Sequence, residues 1–247
     1  MISVCIATHN GARYLATQLQ SILSQLNDGD EVIVSDDGST DNTGEIISAL
    51  HDDRIRLIHY QRPASSFTGK LRDCYNVRGN FANALRYTNG DYIFLSDQDD
   101  VWLPSKVDTM VKALAHCDLA ISDCKVADSQ LNVIDDSFLQ GRKLTDNAWH
   151  YVAHTYFLGC TMAFTKSFLE KALPFPELPI THDAWLLLVS TRGFKLGTVN
   201  EPLMIYRRHT GNLSSATQKS TNSLAFKLKY RLYMALAYIL HAKKLKK

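Results

Sequence analysis

What is scarce in this 247-residue chain removes several classes at once. The five cysteines (Cys5, Cys74, Cys117, Cys124 and Cys160) are odd in number and scattered, with no CxxC pair, so a zinc site or a disulfide framework has little support. Reduced thiols filling core space, in a cytoplasmic protein, are expected instead. Runs of about 18 apolar residues are lacking, which argues against a membrane-spanning helix. Met1–Ile6 has no basic leader and no long apolar stretch, so a strand is expected there, not a secretion signal. Excess charge is also missing. A net charge of +2 makes no case for nucleic acid as a partner. No GxGxxG follows the first apolar run, so a dinucleotide-binding fingerprint is absent. Internal repeats and low-complexity linkers are not found either.

What remains has the composition of an ordinary globular protein, 45% hydrophobic and 21% charged, too apolar for a disordered chain. Residues 2–7 are β-branched and apolar and end in Thr8-His9-Asn10-Gly11, which has turn chemistry. Leu15, Leu19, Ile22, Leu23 and Leu26 then form one helical stripe. A second strand at 31–35 runs into Asp36-Asp37-Gly38-Ser39, a helix is expected around 42–51, and 54–60 alternates like a strand. This order implies parallel strands joined by crossover helices. Residues 61–79 look polar, basic and irregular. A helix at about 80–88 precedes the strand 91–95, which feeds directly into Asp97-Gln98-Asp99-Asp100. Beyond it come a helix over 105–115, a strand at 119–122, a strand from Tyr156 to Thr165, a helix at 166–173 and another opened by Thr181. The half after residue 125 looks like a continuation of one domain.

In open α/β sheets ligands bind beyond the carboxyl ends of the strands. Three expected strands end in polar groups, at Thr8-His9-Asn10, Asp36-Asp37 and Asp97–Asp100. In extended backbone Asp97 and Asp99 leave on the same side. Two carboxylates facing one point require a cation or a shared proton, and their hard oxygens suit Mg²⁺ or Mn²⁺. Alone, the acidic run serves equally well as a solvated turn.

The order of the motifs, Ile2–Asn10, Val34–Asp41 and Asn89–Trp102, resembles glycosyltransferase family 2, the inverting enzymes of the GT-A fold. The Ser96-Asp97-Gln98-Asp99-Asp100 form resembles a rhamnosyltransferase-like subgroup of bacterial polysaccharide synthesis. That resemblance implies an α/β fold with one mostly parallel mixed sheet flanked by helices. It also implies a nucleotide-diphosphate sugar donor carrying UDP or dTDP, and a saccharide acceptor linked to a lipid. Ala7 and Thr8 would line the base pocket, Asp37 would accept from the pyrimidine ring NH, and Asp97 would face the ribose. Asp99 would hold a Mn²⁺ or Mg²⁺ ion, with His209 as a second ligand or simply a loop histidine. Asp183, in Thr181-His182-Asp183-Ala184-Trp185, would be the base, although His182 stands where an acidic residue is commoner. Arg207 or Arg208 would contact phosphate. The family's Ala-Arg-Asn segment is replaced by Gly79-Asn80-Phe81-Ala82-Asn83, leaving Lys70, Arg72 or Arg78 to supply charge.

Two domains are expected, a catalytic unit over 1–215 and a basic helical tail over 216–247. In the tail Leu224, Leu228, Leu232, Ala235, Leu236 and Ile239 share a face, with Lys227, Lys229, Arg231, Lys243, Lys244, Lys246 and Lys247 around and beyond it. Such a helix either rests on the cytoplasmic side of an anionic inner membrane as a peripheral anchor or packs on its own domain. Two rival functions stay in view. A nucleotidyltransferase would need a glycine-rich basic loop after the first strand, and Thr8–Arg13 matches thinly. A non-catalytic binding module is disfavoured by the intact Asp97, Asp99 and Asp183.

Overall fold

The computed structural model describes residues 1–154, 157–212 and 222–242. Strands β1 (Ile2–Thr8), β2 (Glu31–Asp36), β3 (Ile55–His59) and β4 (Tyr92–Asp97) are mutually parallel, in the order β3-β2-β1-β4. Helices α1 (Leu15–Leu23), α2 (Thr43–Ala49) and α3 (Gly69–Leu85) make the crossovers. The stripe on α1 behaves as its spacing requires, with Leu15, Leu19 and Ile22 fully buried.

The sheet then turns mixed. β5 (Val101–Trp102) and helix α4 (Lys106–Leu114) lead to β6 (Leu119–Ala127) and a short β7 (Val133–Asp135). After helix α5 (Ala148–Ala153) and a 3₁₀ turn at Gly159–Thr161, β8 (Met162–Thr165) inserts antiparallel between β4 and β6. Helices α6 (Lys166–Ala172) and α7 (His182–Ser190) precede β9 (Leu196–Arg207), which is parallel to β6 and antiparallel to β5. Both halves therefore share one sheet and one core. Helix α8 (Leu224–Ala242) joins that core through Tyr230, Met234 and Ala237. The expected domain boundary at 215/216 lies outside the described residues, as do Lys243, Lys244, Lys246 and Lys247.

Two expectations are corrected. The stretch 61–79 is not irregular throughout, because α3 begins at Gly69 and runs seventeen residues. Its low apolar content and Gly79 disguise it: a mid-helix glycine costs about 1 kcal/mol against alanine. Here the missing side chain makes room for the Tyr60 ring, since a Cβ on Gly79 would stand 2.7 Å from Tyr60 Cζ. The strand expected over 156–165 is confined to Met162–Thr165, behind the 3₁₀ turn. Residues 155 and 156 lie outside the described residues.

Candidate active site

Because β1 lies between β2 and β4, their carboxyl ends converge. Thr8 is in register with Asp36, and Ala7 with both Ser35 and Asp97. Gln98 cross-links these ends. Its Oε1 accepts from Thr8 Oγ1 (2.7 Å) and from the His9 N–H (2.9 Å), and its Nε2 donates to the His9 carbonyl (3.3 Å). Gly11 is glycine for the same reason, as a Cβ would sit 2.7 Å from both Gln98 Oε1 and Thr8 Oγ1. Thr8 is thus buried with its hydroxyl turned to Gln98, while Ala7 is half-buried at the strand end. Gln98→Ala removes three bonds and is expected to lower unfolding stability by about 1–3 kcal/mol, measurable by urea titration.

Asp36 and Asp37 divide their work. Asp36 closes its own turn, accepting from Ser39 Oγ at 2.5 Å and from the Ser39 N–H. Asp37, 8% exposed, is bound at Oδ1 by Arg62 Nε (2.5 Å), and its carbonyl accepts from His9 Nδ1 (2.8 Å). Arg62 lies in the stretch 61–68 ahead of α3, where nothing in the sequence distinguished it from other basic residues. Of the cations that were distinguished, Arg78 is buried, donates to the Pro176 carbonyl and lies over the Tyr75 ring. Lys70 and Arg72 are exposed.

The acidic run is not an extended DxD. β4 stops at Asp97 and the chain turns through Gln98 and Asp99, so the shared-side argument for Asp97 and Asp99 does not hold. The turn gives Asp99 and Asp100 different partners. Asp99 faces His209, with Oδ2 2.7 Å from His209 Nε2 and 3.4 Å from Asn212 Nδ2. His209 is half-buried and packs at 4.9 Å on the Tyr14 ring, so it is not a free loop histidine. The Asp97 carboxyl is pushed up to about 7, first by desolvation and then by the charges of Asp99 and Asp183. Asp100 is fully buried, accepts the Arg207 N–H at Oδ1 (3.0 Å), and is held above the usual carboxylate range by burial and by Asp99 and Asp97.

Arg207 secures this turn from β9. Its Nε donates to the Asp99 carbonyl (2.8 Å), one terminal nitrogen donates to the Ser129 carbonyl (3.0 Å), and the guanidinium lies over Tyr14 at 4.6 Å. Only 5% of it is exposed, so it organises the acidic turn before it can meet any phosphate. Behind the turn, Lys106 is fully buried, donates to the Cys160 carbonyl (3.2 Å), and is pushed down to about 8 by burial.

Two donor sets could be considered for a metal. Asp97, Asp100 and Cys160 have ligand atoms within 4.8 Å of one another. A buried thiol held above its ordinary range suits Mg²⁺ or Mn²⁺ poorly, so this trio is better understood as packing behind the turn. Asp99 with His209 fits better: carboxylate and imidazole are both ligands that Mn²⁺ accepts, and they already meet across 110 positions of sequence.

Asp183 occupies the first turn of α7, and its Oδ1 accepts the Ala184 N–H (2.7 Å). Its neighbour His182 is buried, stacks on Phe81 with ring centroids 3.8 Å apart, and has no hydrogen-bond partner at either ring nitrogen among the described residues. Gly159 closes the Nε2 edge of the ring, where a Cβ would run into Nε2 and lie 3.0 Å from His182 Cδ2. Burial pushes His182 down to about 4, so its ring is neutral around neutral pH. A folded-state value below the unfolded one means that stability from His182 is complete above about pH 6.5 and drains away as pH falls towards 4. A shift of this size is worth about 3 kcal/mol. His182→Phe is therefore expected to flatten the stability curve across that window, as read by denaturant titration at stepped pH.

An α/β sheet with acidic strand ends and a switch point beside β1 places a ligand-binding site beyond the carboxyl ends of β1, β2 and β4. Residues 3–171 match the sequence family "Glycosyl transferase family 2", and the chain belongs to that family and is a glycosyltransferase. It is similar to the dTDP-rhamnosyl transferase RfbG of Shigella flexneri, 29% identical over 244 residues, covering 92% of this chain and 77% of that one. It is also similar to the UDP-Glc:alpha-D-GlcNAc-diphosphoundecaprenol beta-1,3-glucosyltransferase WfaP of Escherichia coli, 26% identical over 219 residues, covering 87% and 80%. Among solved structures, S. aureus TarS 1-349 in complex with UDP-GlcNAc superposes with a TM-score of 0.67 at 17% identity, covering 95% of this chain and 66% of that one. The mannosyltransferase PcManGT from Pyrobaculum calidifontis, in complex with GDP-Man and Mn2+, gives 0.59 at 18%, covering 97% and 71%. The chain thus spans just under two thirds of the TarS 1-349 chain.

Proposed function

We propose that this glycosyltransferase is an inverting, divalent-metal-dependent hexosyltransferase of bacterial surface polysaccharide synthesis. The donor is a UDP- or dTDP-sugar and the acceptor a saccharide hydroxyl carried on a membrane lipid. The observation that carries the reading is the meeting of Asp99 and His209 just beyond the ends of β4 and β9, beside an Asp97 carboxyl that the charges of Asp99 and Asp183 both help to raise. The pyrimidine donors follow from the similarity to RfbG and WfaP, and the lipid-linked acceptor from WfaP.

In this reading Ala7 and Thr8 floor the base pocket. Asp37 accepts from the pyrimidine ring NH with the oxygen that Arg62 leaves free. Asp97 faces the ribose, and Arg207 adds positive charge behind Asp99. Asp99 and His209 would hold Mn²⁺ or Mg²⁺, which would supply Lewis-acid neutralisation of the departing diphosphate. Asp183 takes the proton from the acceptor hydroxyl as that oxygen attacks the anomeric carbon.

A panel of nucleotide sugars, assayed for donor hydrolysis with and without Mn²⁺, tests the proposal. Turnover of a pyrimidine nucleotide sugar that stops on chelation is expected. If only purine nucleotide sugars react, or chelation changes nothing, the reading is wrong.

A further inference from the structure

Helix α8 is apolar on two faces. Its inner face carries Tyr230, Met234 and Ala237, all at most 9% exposed. Its outer face carries Leu224, Leu228, Leu232, Leu236, Ile239 and Leu240, which are 39% to 71% exposed. At 1.5 Å per residue these six side chains extend for about 24 Å along the helix. Isolated exposed leucines are ordinary, but a continuous row of this length marks a contact surface. Among the described residues nothing covers it. Trp149 of α5, 54% exposed, stands beside the helix with its ring 6.1 Å from that of Tyr238. The row also opens into a groove of about 390 Å³ lined by Phe67, Leu71, Lys229, Leu232, Tyr233 and Leu236.

Charge decides the occupant. Ten Lys and Arg follow Glu201 in the sequence, and no Asp or Glu does. Lys229 is exposed at the mouth of the groove, and Arg231 is exposed on the helix. A second copy would bring like charge against like. An anionic lipid surface complements both the cations and the leucines, and an exposed tryptophan suits its interface. No helix among the described residues is long and apolar enough to cross a bilayer, so this one would lie along it.

We infer that the outer face of α8, with Trp149, docks this enzyme on an anionic bilayer, and that the groove takes an aliphatic chain from it. The inference rests on the lipid-linked acceptor proposed above and adds where the lipid is met. It also connects that contact to the chemistry. Tyr230, on the inner face, accepts the Thr181 N–H at 3.1 Å and lies 2.8 Å from Thr181 Oγ1, at the cap of the helix that carries Asp183. The docked helix therefore holds the first turn of α7 directly.

The test is flotation of the full chain with phosphatidylcholine vesicles, with and without about one third phosphatidylglycerol. Binding is expected only with the anionic lipid, falling at least about tenfold at 0.5 M salt. Leu228→Ser with Leu232→Ser is expected to abolish flotation, and Lys229→Glu to weaken it. Both variants should retain wild-type donor hydrolysis, because neither site touches the acidic centre. Equal binding to neutral vesicles, no binding, or a dimer that the leucine substitutions disperse without any vesicle contact would overturn the inference. Each of those results leaves donor hydrolysis intact, whereas failure of the proposed function would show in the donor and metal dependence of hydrolysis and leave flotation unaffected.

Discussion

Asp183→Asn is expected to lower sugar transfer by about 10²–10⁴-fold, the range for removing a positioned general base. The substitution keeps the side chain's shape and leaves an amide oxygen to accept the Ala184 N–H that Asp183 Oδ1 now accepts at 2.7 Å. The start of α7 should therefore persist, supported independently by Thr181 on Tyr230 and by the buried His182 ring. What disappears is the charge that takes a proton. Donor affinity should stay near wild type, because the nucleotide contacts proposed here lie on β1, β2 and β4. Steady-state transfer alongside calorimetric donor binding separates the two quantities. A variant that keeps more than about a tenth of the activity would remove Asp183 from the role of base.

How much of this was legible beforehand follows from the range of the interactions involved. The parallel strands β1 to β4 and helix α1 declare themselves through local periodicity and turn residues. The convergence of Thr8, Asp36 and Asp97 then follows from the strand order 2-1-4. Helix α3 was half hidden because Gly79, a poor helix residue, is required by the Tyr60 ring, a contact that spans nineteen positions. β5 and β7, of two and three residues, are too short for any period to register. β9 is interrupted by Glu201-Pro202 and slips register against β6, so it does not alternate as a strand should.

Within the site the same division holds. The acidic turn and Asp183 could be named from local motifs and family resemblance. The partners that give each acid its character could not. Arg62 on Asp37, Gln98 on Thr8 and His9, and Asn212 beside Asp99 are all long-range pairs between residues of ordinary type. Arg207 shows the limit clearly: a basic residue near a diphosphate site suggests a phosphate contact, yet two backbone carbonyls and the Tyr14 ring hold it first. For α8 the apolar stripe was visible, but a helix that is apolar nearly all round does not say which face is turned inward.

Asp99→Asn should have the other large effect, a loss of about 10²–10⁴-fold in turnover, equivalent to several kcal/mol of leaving-group stabilisation. Asparagine fills the same space and still accepts from His209, so the turn fixed by Gln98 and Arg207 is kept. Removing one charge also relieves Asp97, whose carboxyl Asp99 helps push up to about 7. The sign follows from linkage. An acid with a raised folded-state value destabilises the protein fully above that value, and the deficit vanishes below its unfolded value near 4. The relief in the Asp99→Asn protein is therefore largest at alkaline pH and fades as pH falls towards 4. It works against the weaker hydrogen bond that a neutral amide offers His209, a loss of about 1 kcal/mol. Stability near neutral pH should thus stay within about 1 kcal/mol of wild type, so the lost activity cannot be blamed on unfolding. Mn²⁺ with UDP is expected to raise the melting temperature of the wild type, and that shift should disappear in the variant. An Asp99→Asn enzyme that still turns over donor and still responds to Mn²⁺ would take Asp99 out of the metal site and leave the acidic turn a structural feature of the strand end.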